Sequence, residues 1–280
     1  MNSVAVVGGG TMGTGIVYTA ALSGADVWVV EPDDARAEVM RRSIDGAAAG
    51  GVRRGKLDAQ QAEALRGRIR RLAAVAELPD GLDLVVETVP ERLELKHQVL
   101  AAIADKHPDI IGSNTSALSI DRLAEVLPFP ERFLGMHFFN PVWSIRLVEL
   151  VRGRETSEAT LLSARAFAQQ LGKESLTVAD VPGFATSRLD LIASLEAMRM
   201  LESGVASADD IDRAAVLAYQ HPVGPLRLSD IVGLDVRLDI ALTLEEAHGP
   251  RFAPPQILRD MVDRGELGQK SGQGFFAWID

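Results

Sequence analysis

A short apolar strand followed by three glycines at fixed spacing constrains this chain more than any other feature. Val4, Ala5, Val6 and Val7 run without interruption. The run is too short and too β-branched for a helix, so it reads as a strand buried on both faces. Gly8, Gly10 and Gly13 follow in G-x-G-x-x-G order. The first glycine permits a tight turn, the second lets backbone approach a pyrophosphate, and the third lets helix pack closely on strand. A helix opening near Thr11, with Met12 in its first turn, then turns free N–H groups toward phosphate oxygens. A second strand over residues 26–30 delivers Glu31, whose carboxylate is placed to accept hydrogen bonds from the adenosine ribose. Strand, glycine turn, helix, strand and terminal acid in this register predict a dinucleotide site. A 2′-phosphate would meet like charge at Glu31 and no basic residue follows immediately, so the expected dinucleotide is NAD rather than NADP.

With 280 residues the chain has room for two domains, and no apolar run approaches the ~20 residues of a membrane span. The N-terminus leads straight into a strand, with no basic segment or signal-peptide core ahead of it. There are no cysteines, which excludes disulfides and thiolate metal sites and fits a reducing compartment. A net charge of −10 disfavours nucleic acid and anionic membranes as partners. The expected setting is the cytoplasm.

Strands alternate with helices over the first two-thirds, which argues for a parallel sheet covered on both faces. Helices are expected over residues 32–49, from an Asp58 cap to about 71, over 91–106 and over 157–171. Further strands are expected at 82–86 ending on Glu87, at 110–111 stopping at Gly112, at 132–136, at 147–151 and at 175–178. At Pro182-Gly183 the character changes, and to about His248 the periodicity is helical, with Leu191, Leu195, Met198 and Leu201 on one face. The expected fold is α/β: a Rossmann-type doubly wound sheet (residues 1–182, NAD-binding) followed by an all-α C-terminal domain (residues 183–280). A helical domain of about a hundred residues often completes its core against a second copy, so a homodimer is expected.

Oxidising an alcohol by hydride transfer requires a base for the hydroxyl proton, and histidine suits that task at neutral pH. Of the five histidines, His97 and His107 lie on or just after a polar helix, and His221 and His248 sit beside proline and glycine. His137 differs: it ends an apolar strand-like segment and opens His137-Phe138-Phe139-Asn140-Pro141. By position it is either a base or a buried structural histidine. Glu149 stands inside the apolar run Leu147-Val148-Glu149-Leu150-Val151. Charges are rarely buried unpaired, so an imidazole partner is inferred for it. The histidines lack neighbouring ligands at usable spacing, so no metal site is expected.

Several motifs then fall in one collinear order. They are Asn114-Thr115-Ser116, His137-Phe138-Phe139-Asn140-Pro141, Leu147-Val148-Glu149, Pro182-Gly183-Phe184, Ile211-Asp212, Gly224-Pro225-Leu226, Gly233-Leu234-Asp235 and the tail Lys270 to Phe276. In order and spacing the chain resembles the 3-hydroxyacyl-CoA dehydrogenases, most closely the short-chain 3-hydroxybutyryl-CoA dehydrogenases. The resemblance implies a dimerising helical domain bordering the substrate cleft and a place in fatty acid metabolism. It also implies reversible oxidation of an (S)-3-hydroxyacyl-CoA to the 3-oxoacyl-CoA with NAD. By motif, His137 matches the general base and Glu149 the residue orienting it, while Ser116 matches a hydrogen-bond donor to the substrate oxygen. Asn140 matches a substrate contact; Asn114, Glu91 and Lys96 match positions lining the cofactor. Read without the family, Ser116 equally caps a helix starting near Ser119, and Glu91 with Lys96 equally forms a helix-surface pair.

One departure stands out. The family usually has asparagine before arginine after Pro-Gly-Phe; here the pair is Ser187-Arg188. Serine offers one hydrogen bond and less reach, which leaves a hydroxy or sugar acid, or an acyl-carrier-protein thioester, as alternative substrates. Pro90 and Trp143 are lesser departures. Between residues 53 and 71 seven basic side chains face only Asp58 and Glu63, a local excess of five positive charges. Such a run is either a solvated helix face or an anion site. In the family, positions matching Arg53, Arg54 and Lys56 lie beside coenzyme A. A thioesterase built on Ser116, His137 and Glu149 would need a nucleophile elbow, which Ser116 lacks. A non-catalytic NAD-binding protein would not need His137 with Glu149.

Overall fold

The computed structural model describes residues 1–278; the last two residues of the expected second domain, 279 and 280, lie outside the described residues. The chain divides into two compact units, Met1–Asp180 and Val181–Asp280.

In the first unit β1 (Ser3–Val7) leads through the glycine turn into α1 (Thr11–Leu22), then β2 (Asp26–Val30) and α2 (Asp34–Arg53). Next come α3 (Ala59–Gly67), β3 (Ile69–Leu72), β4 (Leu84–Glu87), α4 (Leu93–Ala104), β5 (Ile111–Ser113) and α5 (Ile120–Ala124). The unit closes with β6 (Phe133–Phe138), β7 (Leu147–Arg152), α6 (Glu158–Gln170) and β8 (Glu174–Ala179). All eight strands form one sheet in the order β3-β2-β1-β4-β5-β6-β7-β8. The order reverses between β1 and β4, and ligands of such sheets bind in the crevice at that switch point, beyond the carboxyl ends of the strands. Alternate residues Val4, Val6, Val27 and Val29 share one hydrophobic cluster with Ile16 and Val17 of α1 and Phe167 of α6.

Two expectations are corrected. The helix capped by Asp58 does not reach residue 71: it stops at Gly67, and Ile69–Leu72 is a strand paired parallel to β2. Strand β3 is the sheet edge, and its Arg70 and Arg71 are charges that guard an exposed edge, which hides its β character. Nor is the sheet parallel throughout: β7 runs antiparallel to β6 and parallel to β8. The short β6–β7 connection, residues 139–146, leaves no room for a crossover helix, so the chain must turn back.

The second unit is helical: α7 (Thr186–Glu202), α8 (Ala208–Tyr219), α9 (Pro225–Val232), α10 (Leu234–His248) and α11 (Gln256–Asp263). Leu191, Leu195 and Met198 form the buried face of α7 and pack in one cluster with Leu226, Leu234, Leu244 and Leu258. Motif residues here are structural. The Asp212 carboxylate accepts the N–H groups of Leu226 (2.8 Å) and Arg227 (2.9 Å), capping α9. Asp230 accepts from the Phe275 and Phe276 amides and from the Trp278 indole, each at 2.9 Å, which fastens the tail. Among the described residues, no helix is long and apolar enough to cross a membrane.

Candidate active site

The turn after β1 has the shape its glycines predict. Gly8 lies at φ +113°, and a Cβ on Gly13 would sit 1.9 Å from the Gly8 carbonyl oxygen. Gly10 has nothing within 4 Å of where its Cβ would lie and heads α1 without a side-chain cap. That open, uncapped helix start is the cradle a pyrophosphate requires, and the residues fit a dinucleotide. Gly8, Gly10, Thr11, Met12 and Glu31 line a cleft of about 540 Å³. Glu31 is buried, its carboxylate accepting from the Gly9 amide (3.1 Å) and the Asp33 amide (3.0 Å). Each oxygen retains a further lone pair for a ribose hydroxyl.

Across the switch point, β4 ends in a buried charge network. The Lys96 ammonium, 1% exposed, donates to Glu87 Oε1 (2.7 Å), Glu87 Oε2 (3.0 Å) and the Val89 carbonyl (3.1 Å), and lies 3.2 Å from Glu91 Oε2. Glu87 also accepts from Ser113 Oγ and the Val89 amide, both at 2.6 Å. Glu91 Oε1 accepts from the Thr115 hydroxyl and from the amides of Ser116 (3.0 Å) and Ala117 (3.1 Å). Burial pushes the Glu91 carboxyl up, but Lys96 and the Thr115 and Ser116 donors outweigh it and hold it below the ordinary glutamate range. Glu91 and Lys96 are therefore no helix-surface pair, because Lys96 points inward at the end of β4. Glu87, Ser113 and Thr115 were not anticipated as members. The available signal was Glu87 itself, a second acid closing an apolar strand as Glu31 does.

His137 stands in β6 directly opposite Glu149 in β7. Antiparallel register brings the side chains together: His137 Nδ1 lies 2.9 Å from Glu149 Oε2, with both residues buried. The His137 ring also packs against Phe139, centroids 4.5 Å apart. Asn114 Oδ1 accepts from the Phe138 amide at 2.9 Å, tying the end of β5 to β6 beside the histidine. Ser116 is exposed after β5 and does not cap α5; Ser119 does, accepting from the Arg122 amide. Asn140 is exposed at the start of the β6–β7 loop. Ser187 is half-buried in the first turn of α7, in the second unit. Of the other histidines, His97 Nε2 meets the Arg122 carbonyl (2.8 Å) and His248 Nε2 the Pro182 carbonyl (2.9 Å), while His107 and His221 are exposed. Among the described residues no cluster of three potential metal ligands occurs.

The basic run divides in two. Arg66 pairs with Asp45 and Glu63, Arg70 lies near Asp26 and over the Trp28 ring, Arg71 pairs with Asp34, and Arg68 donates to the carbonyls of Gly24 and Ala64. Arg53, Arg54 and Lys56, at the end of α2, are exposed and have no carboxylate partner among the described residues.

Comparison with known proteins completes the description. A family model described as the NAD binding domain of 3-hydroxyacyl-CoA dehydrogenase matches residues 3–181, and the C-terminal domain model of that family matches residues 183–278. The chain is 39% identical to a 3-hydroxybutyryl-CoA dehydrogenase of Mycobacterium tuberculosis, with 98% of each chain covered. It is 36% identical to a probable 3-hydroxybutyryl-CoA dehydrogenase of Bacillus subtilis, covering 99% of this chain and 97% of the other. The crystal structure of an (S)-3-hydroxybutyryl-CoA dehydrogenase from Ralstonia eutropha superposes with a TM-score of 0.95 at 36% identity, covering 100% of both chains.

Proposed function

The chain belongs to the 3-hydroxyacyl-CoA dehydrogenase family, and on that premise we propose how its residues divide the work of the reaction. It is an NAD-dependent oxidoreductase that interconverts short-chain (S)-3-hydroxyacyl-CoA and 3-oxoacyl-CoA. Bound NAD supplies the hydride acceptor, held by the Gly8–Gly13 turn, the first turn of α1 and Glu31.

His137 is the general base. The observation that carries this assignment is the buried His137–Glu149 pair, set by strand register at the carboxyl end of β6. With its Nδ1 proton directed at Glu149, the imidazole has its lone pair on Nε2. That nitrogen takes the C3 hydroxyl proton as the C3 hydrogen departs with its electron pair, leaving a carbonyl. Glu149 holds the ring orientation and stabilises the imidazolium so formed. Ser116 donates to the same substrate oxygen, Asn140 contacts the acyl chain, and Ser187 supplies a shorter donor where the family has asparagine. Glu91, Lys96 and Asn114 shape the wall along the cofactor. Arg53, Arg54 and Lys56, which have no carboxylate partner among the described residues, receive the phosphates of coenzyme A. The assembly is a homodimer joined through the second unit, a reading supported by exposed Leu189, Leu217 and Tyr219 there.

A panel of 3-oxoacyl-CoA esters of graded length with NADH or NADPH, followed by loss of nicotinamide absorbance, tests these assignments. The four-carbon ester with NADH should turn over fastest, and absence of turnover with every ester would refute the activity. His137→Gln should lower kcat by roughly 10²–10⁴ with NADH affinity kept. Charge reversal at Arg53 and Arg54 should raise KM for the ester at low salt; an unchanged KM removes them from the coenzyme A site.

A further inference from the structure

The loop between the two strands of the acid–base pair is held from both sides. Residues 139–146 turn on the Pro141 carbonyl, which accepts from the amides of Ser144 (2.9 Å) and Ile145 (3.0 Å). On one side Val142 is buried against Gly15 of α1, where a Cβ would lie 2.6 Å from Val142 Cγ2. Trp143 adds an edge-on contact with Tyr18, centroids 5.8 Å apart. On the other side the Lys173 ammonium donates to the carbonyls of Val142 (2.5 Å) and Ile145 (2.7 Å).

Lys173 reaches that position through the way α6 ends. Gly172 adopts φ +70°, its amide donates to Gln169 (2.9 Å), and the Lys173 amide donates to Ala168 (2.9 Å). This paired bonding is a Schellman end, and it fixes the direction in which the next side chain leaves the helix. Lys173 is only 6% exposed and has no carboxylate partner among the described residues. Burying a cation without a counter-ion carries a desolvation cost that a methionine of similar length would avoid. What methionine cannot do is direct two donors at a loop.

We infer that Lys173 is a positioning residue for the acyl-CoA substrate: by gripping the Val142 and Ile145 carbonyls it holds Asn140 and Trp143 in place beside α1. The inference rests on the reading of this loop as substrate-facing. The His137–Glu149 pair is fixed by the β6–β7 ladder and does not depend on Lys173. Losing the grip therefore weakens substrate placement and leaves the base intact.

The test compares Lys173→Met and Lys173→Gln with the parent protein, all carrying Trp28→Phe and Trp278→Phe so that Trp143 emits alone. Lys173→Met should raise KM for acetoacetyl-CoA about tenfold, leave the pH profile of kcat and the NADH dissociation constant unchanged, and shift Trp143 emission to the red. Lys173→Gln, which restores two N–H donors, should recover part of both effects. If Lys173→Met does not fold, the glutamine variant carries the same comparison. Parental KM and emission in a folded variant would overturn the inference, as would a fall in kcat with KM unchanged. If the parent reduces no ester, the functional reading fails, while the emission shift still reports whether Lys173 holds the loop.

Discussion

Lys96 illustrates how much one side chain can hold. Its ammonium is enclosed by Glu87 and Glu91, and Glu87 is fully buried. Lys96→Met would strand the Glu87 carboxylate and should destabilise the first unit by about 3–5 kcal/mol in denaturant unfolding. Adding Glu87→Gln should recover much of that loss. Glu91 sets a pH dependence. Its folded pKa lies below its unfolded value, so its contribution is complete above the ordinary glutamate pKa. That contribution fades as pH falls through the lowered folded value. Lys173 shifts stability with pH in the same direction, but as a penalty that is relieved. Burial holds its amine below the ordinary lysine range, so the penalty is full below that lowered value and is relieved as pH rises from it toward the unfolded lysine value. The difference between wild type and Lys173→Met should shrink over that alkaline window. At this scale the sequence was partly legible. Glu149 announced itself as a carboxylate inside an apolar strand. Glu87 was a weaker signal, because no glycine turn beside it marks a ligand as Gly8–Gly13 does for Glu31.

Elements were legible where local pattern and tertiary role agree. The β1–α1 turn is such a case, since Gly8 and Gly13 each stand where a side chain would collide with backbone. Gly13→Ala would place a methyl group 1.9 Å from the Gly8 carbonyl. The variant should weaken NADH binding at least tenfold, read by nicotinamide fluorescence titration, because α1 must move off β1. Retained affinity would show that the turn tolerates the displacement. Strand β3 was illegible for the converse reason. Ile69-Arg70-Arg71-Leu72 has the charge of an exposed helix, and only pairing with β2 and the Arg71 Nε bond to the Glu31 carbonyl (2.8 Å) make it a strand. Gly67, the last residue of α3, was the stop signal available. The antiparallel turn at β7 was equally hidden, since strand direction is a property of the connection rather than of the strand.

For the molecule as a whole, the exposed apolar side chains of the second unit matter most. Leu189, Leu217 and Tyr219 are each at least 70% exposed. Sedimentation velocity at micromolar concentration should show a dimer, and Leu217→Glu with Tyr219→Glu should shift it toward monomer; a monomeric wild type would overturn the homodimer. The charge of −10 is likewise a property of the whole chain, against which the exposed Arg53, Arg54 and Lys56 form a local exception. The ladder joining β6 and β7 has one more consequence. Because backbone pairing, rather than the intervening segment, keeps His137 opposite Glu149, residues 139–146 form a natural cassette. Grafting in segments of other lengths should retune which acyl tails are accepted while the His137–Glu149 pair survives, provided each graft still presents two carbonyls to the lysine behind it.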